Sequence, residues 1–269
     1  MGNYSSVPSE EEVEAFCDNC RPLDLLVFQG AEPVSKLIRK LQKKQMGFGD
    51  ISHVEVVITP KWCTEIKSLH KFEQFKNEAI KPHENYLLSW GSELSGKLND
   101  GVYDAETGGV TFGVQIRDLK DLVRKYASNP KANVGICRLL NNPTETTTDP
   151  DKLKREITAA YLKYKDAKYD YNPFNLLAAL YPQLRKYRKE VNKIIDKIRG
   201  HKKDRFLFCS EFAASLYVDV GVLNDESDGE LDGDHPNPEN VLPQDFLVGD
   251  QDEHGIKVAI TEPPIWLKK

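Results

Sequence analysis

The sequence predicts an α+β domain built on a mainly antiparallel sheet packed against helices. Three observations predict it. Short β-branched and aromatic runs dominate the middle of the chain, the clearest helical patterns lie before and after them, and few of the spacings between runs hold a complete strand–helix–strand unit, which a parallel sheet needs. At 269 residues the chain suits one large domain or two small ones, and no internal repeat divides it.

The elements follow in order. "LDLLVF" (23–28) is a strand. "PVSKLIRKLQKKQ" (33–45) is a basic amphipathic helix with Val34, Leu37, Ile38 and Leu41 on one face, broken by "MGFGD". "ISHVEVVI" (51–58) is a β-branched strand ended by Pro60, and "NYLLSW" (85–90) and "VTFGVQI" (110–116) are further strands. "DLKDLVRKYA" (118–127) is a helix with Asp118 at its N-cap, and "ANVGICRLL" (132–140) is a strand. Residues 141–151 form a loop, 151–167 a helix, and "YDYNPFNLLAALY" follows with Pro173 at a first helical position. "FLFCSEFAASLY" (206–217) passes from an apolar run into a helix, and "GIKVAI" (255–260) is a last strand. The organisation expected is a flexible tail over 1–21, a domain over 22–248 carrying a basic helical insertion at 183–204, and a C-terminal extension over 249–269.

Composition narrows the function classes. A net charge of -5 argues against a dedicated nucleic-acid binder, which must neutralise phosphates. The five cysteines are an odd, sparse count, which fits a reducing, cytoplasmic setting rather than a disulfide framework. Cys17 and Cys20 have CxxC spacing, but one pair is half a zinc site and no second pair completes it. "NDESDGELDGDHPNPEN" matches calcium-loop spacing at Asp228, Glu230, Asp232, Gly233 and Glu239, yet Pro236 and Pro238 interrupt it and no helix follows, so a solvated loop is the reading over 225–239. No metal or cofactor is called for. "MGNYSS" fits the myristoylation pattern, with Gly2 as acceptor and Ser6 in place; a single acyl chain anchors only marginally, and the basic stretch 183–204 offers a second contact with an anionic membrane.

The chemistry-bearing candidates are a cysteine and a histidine. A thiolate nucleophile needs stabilisation, a base within reach and an oxyanion hole, and a helix N-terminus supplies the first and part of the third. Cys209 stands where the apolar run meets the helix. The plain alternative is a packing residue on a face with Ala213, Leu216 and Val220. Of the six histidines only His53 lies inside a clear strand, with Glu55 on the same face. A third polar group must orient the imidazole, and "LLSWGSEL" (87–94) offers Ser92 and Glu93, with Glu55 competing from the histidine's own strand.

"GDISHVEVVI" followed much later by "FCSEFAASLY" resembles the motifs of the circularly permuted papain-like proteins. These are the NlpC-like superfamily branch that includes lecithin retinol acyltransferase-like and YiiX-like proteins. "PLDLLVF" with "VSKLI" is similar to the opening strand and helix of that family, "YDYNPFNLL" to its aromatic stretch and "LPQDF" (242–246) to its closing segment. The resemblance spans about residues 22–248. It implies a permuted papain-like fold and acyl transfer at an amide, ester or thioester, with Cys209 as nucleophile, His53 as base and Glu93 as the third residue. Glu55 departs from the pattern, which has a small residue there. The substrate implied is an acyl-containing lipid or peptide. Tyr169 and Tyr171 are expected near the pocket, and Glu211 as a helix-start charge. A non-catalytic scaffold of the same fold is the competing reading.

Overall fold

The computed structural model describes residues 7–31, 33–46, 50–73, 76–93, 102–109, 111–169, 187, 206–223, 241, 243, 246 and 260–268. Gly2, Tyr171, the stretch 183–204 apart from Tyr187, the acidic loop 225–239 and most of 249–269 lie outside them.

The fold is α+β. A six-stranded antiparallel sheet runs in the order β10–β7–β1–β2–β5–β6. Its strands are β1 (Leu25–Gln29), β2 (His53–Ile58), β5 (Leu88–Glu93), β6 (Gly113–Asp118), β7 (Asn133–Cys137) and β10 (Ile265–Trp266). Because side chains alternate across a strand, the two faces of the sheet serve two cores. Leu25, Val27, Val54, Val56, Trp90 and Ile116 pack under α5 (Pro150–Tyr164) and α6 (Cys209–Asp219). Leu26, Phe28, Val57 and Ile136 pack under α1 (Glu10–Asp18) and α3 (Leu119–Ser128). The helices α2 (Pro33–Met46) and α4 (Pro143–Thr146), a β3–β4 hairpin (Leu69–Glu73 with Lys76–Ile80) and a parallel pair, β8 (Lys168–Tyr169) with β9 (Phe206–Leu207), complete the described elements.

Two segment boundaries differ from expectation. Residues 10–18 are helix α1, not flexible tail. Ser9 accepts from the Glu12 amide at 3.2 Å while Glu12 accepts from the Ser9 amide at 2.7 Å, and the acidic first turn suits the positive end of the helix dipole. Val13, Phe16, Cys17 and Cys20 then recur at helical spacing and are buried against α3. At the other end, Ile265 and Trp266 form edge strand β10, so the C-terminal residues belong to the domain. Trp266 lies across Gly135, where an added Cβ would stand 2.9 Å from the indole ring. The Lys268 ammonium donates to the carbonyls of Tyr126, Asn129 and Ala132 at 2.6–2.9 Å, closing the C-terminal end of α3. Within α2, Ile38 is buried as expected but Leu37 is 52% exposed.

Phe16→Ala tests the first correction. Removing a ring buried against α3 lowers the unfolding free energy by about 3 kcal/mol in urea titration; a flexible tail would leave the midpoint unchanged.

Candidate active site

β2 and β5 pair antiparallel, and their register sets the site. Val56 faces Trp90 and Val57 faces Ser89, which places Glu55 beside Gly91. Gly91 matters for lacking a side chain: a Cβ there would stand 2.9 Å from Glu55 Cδ and closer still to Cγ. The glycine therefore makes the space that a fully buried glutamate occupies. On the other side β6 brings Arg117 opposite Ser89 and Gly113 opposite Glu93. Gly113 has φ +116°, and its absent side chain lets the Ala167 carbonyl close on the strand.

These strands assemble one cluster. His53 Nε2 lies 2.8 Å from Glu55 Oε1 and 3.4 Å from Glu93 Oε2. Arg117 ion-pairs with both carboxylates, at 3.1 Å to Glu93, and Ser89 Oγ donates to Glu55. The imidazole is flanked by Phe28 at 5.3 Å between ring centroids, and Phe28 in turn by Tyr126 at 4.7 Å. His53, Glu55 and Glu93 also have the donor set of a cation site. The Arg117 guanidinium already supplies positive charge to both carboxylates there, so the residues do not fit a resident metal.

Cys209 is the first residue of α6, and its thiol stands close enough to the His53 imidazole for the two to interact electrostatically. α6 belongs to the opposite layer, yet its first turn reaches the imidazole where β2 begins. Nε2 is engaged by carboxylates, so Nδ1 is the nitrogen left to meet the thiol. Phe208, the N-cap, has no side-chain acceptor to offer the first turn of α6. The Glu211 carboxylate accepts from the Phe208 amide at 3.4 Å, the helix-start role expected of it.

Burial pulls the His53 pKa down, but the charges of Glu93 and Cys209 and the hydrogen bond to Cys209 outweigh it, and the net shift is upward from 6.5. Burial pushes the Arg117 guanidinium down to about 10, still charged at neutral pH. Burial pushes Cys17, Cys63 and Cys137 up to about 12, and Cys20 upward as well.

The structure thus gathers Cys209, His53, Glu93 and Glu55. Of the three third-residue candidates, Glu55 makes the shortest contact with the imidazole and Glu93 is second. Ser92 is not part of the cluster; its hydroxyl donates to the Leu207 carbonyl at 2.7 Å. Tyr169 packs edge-on to Phe208 at 5.9 Å, one residue from the cysteine. Sequence reasoning missed Arg117, Ser89 and Gly91. A signal existed for the arginine: a cation alternating with Ile116 inside the strand "VQIRD". A cleft of about 610 Å³ opens along the outer edge of β6, starting at Phe112 and Val114 beside Gly113. No protein-family model and no curated protein sequence matches this chain.

Two predictions follow from the cluster. Gly91→Ala displaces Glu55 and costs about 1–3 kcal/mol of stability by denaturant titration, the usual range for overpacking. The raised His53 pKa means the folded chain holds that proton more tightly than the unfolded chain. Its stabilisation is complete below pH 6.5 and is lost as pH rises through the raised value. The stability gap between wild type and His53→Gln is therefore widest below pH 6.5 and narrows above it, measured by urea titration across pH; a gap that widens with pH contradicts this assignment.

Proposed function

We propose that this chain is a thiol hydrolase or acyltransferase of the permuted papain-like type. The observation that carries the reading is the Cys209–His53 pair: a cysteine at the start of a buried helix, beside an imidazole whose Nε2 is held by two carboxylates.

In the mechanism, His53 Nδ1 takes the Cys209 proton. The thiolate attacks the carbonyl carbon of an amide, ester or thioester, and the electron pair moves to the carbonyl oxygen. Backbone N–H groups of the first turn of α6 receive that oxyanion. The imidazolium returns its proton to the leaving group as the tetrahedral species collapses to a thioester on Cys209. Water or another nucleophile, deprotonated by His53, then releases the acyl group. Glu55 and Glu93 hold the imidazole and favour its protonated form, and Arg117 keeps the two carboxylates side by side. Acylation of Gly2 and a cytoplasmic location at a membrane belong to the same proposal; no helix among the described residues is long and apolar enough to cross a membrane.

A second reading, a non-catalytic scaffold, is favoured by one observation: Cys209 is only 4% exposed. A panel of acyl esters, thioesters and amides separates the two by intact-mass detection of an acyl group. The expected result is an adduct on wild type, none on Cys209→Ala, and a Cys209→Ala chain that unfolds at a midpoint close to wild type. Turnover that persists in Cys209→Ala contradicts the mechanism, and the lack of any adduct across the panel favours the scaffold.

A further inference from the structure

The helix α2 has a sharply divided surface. At 3.6 residues per turn, Lys36, Lys40 and Lys43 fall on one stripe, and Leu37 borders it. All four are exposed, and Leu37 is 52% exposed. Ile38 and Gln42 occupy the opposite side and are buried. The helix carries no acidic residue. Among the described residues, no acid pairs with Lys36, Lys40 or Lys43. This basic face stands on a chain whose net charge is -5, so it is a local concentration of positive charge rather than a global property.

We infer that the outward face of α2 is a docking surface for an anionic membrane. Charge complementarity selects the partner: three ammonium groups at one-turn spacing meet lipid phosphates and carboxylates, each adding attraction within a Debye length of the surface. The leucine distinguishes a bilayer from a nucleic acid. Its exposed side chain fits the boundary between headgroup and acyl chain, where an amphipathic helix lies flat, and has no counterpart on a phosphate backbone. Two hydrogen bonds join the helix to the ends of the strands beside the candidate site. Arg39 donates to the Gly30 carbonyl at 3.1 Å, and Gln42 donates to the Ile51 carbonyl at 2.7 Å, two residues before His53. A bilayer under α2 therefore lies beside the strand that carries the imidazole. If the acyl-transfer reading holds, its substrate is an acyl group presented from that bilayer; this last step alone rests on that reading.

The test is co-sedimentation of the full chain, without acylation, with vesicles of phosphatidylcholine alone or mixed with phosphatidylserine. The expected result is binding to the anionic vesicles only, weakening as salt is raised. The Lys36→Gln/Lys40→Gln/Lys43→Gln variant binds at least about tenfold more weakly, and Leu37→Ser weakens binding without changing its salt dependence. Cys209→Ala binds as wild type does, which keeps the membrane surface separate from the chemistry. Equal binding to both vesicle types, unchanged binding by the triple variant, or tighter binding to a single-stranded oligonucleotide than to the anionic vesicles overturns the proposal.

Discussion

Arg117 sits out of water between Glu55 and Glu93, and the geometry of the site depends on that arrangement. Two carboxylates close to one imidazole nitrogen repel each other and resist burial. A guanidinium ion-paired with both offsets part of that penalty. With His53 protonated, the cluster of two acids and two bases is neutral. Each member is costly alone and tolerable only in company, because loss of one partner leaves an uncompensated buried charge. The same balance orients the imidazole. The carboxylates engage Nε2, and Phe28 lies against the ring.

The sheet supplies this arrangement through register and through two absent side chains. Gly91 gives Glu55 its volume, and Gly113 lets Ala167 close against the strand that faces Glu93. Glu55 fills the space that Gly91 leaves open on the neighbouring strand. A larger side chain on one strand is matched by none on the other, so the pair conserves space rather than opening a cavity.

The sequence made the centre of the fold legible and left its margins obscure, for physical reasons. β2 could be read because Val54, Val56 and Ile58 alternate with His53, Glu55 and Val57, and β-branched alternation is the strongest strand signal. The α6 helix could be read from Phe212, Ala213, Leu216 and Tyr217. Helix α1 was hidden by its own acids: Glu10, Glu11, Glu12 and Glu14 read as a solvated tail, while Val13, Phe16 and Cys17 buried the other side. β10 is two residues long beside two prolines and is defined by its partner, not its composition. Arg117 was invisible as a site residue because its partners lie on strands far apart in sequence, and only pairing register brings them together. The relative distances of Glu93 and Glu55 from the imidazole could not be read for the same reason. Composition located both carboxylates but not their distances to the imidazole.

In the proposed function, Cys209 differs from the four other cysteines because His53 stands beside it. Iodoacetamide labelling, resolved cysteine by cysteine through peptide mass spectrometry in wild type and His53→Ala, tests this most directly. The account predicts that Cys209 labels fastest in the wild type while Cys17, Cys20, Cys63 and Cys137 stay slow. It also predicts that His53→Ala slows Cys209 to their level. Labelling of Cys209 no faster than the others, or unchanged in the variant, contradicts it.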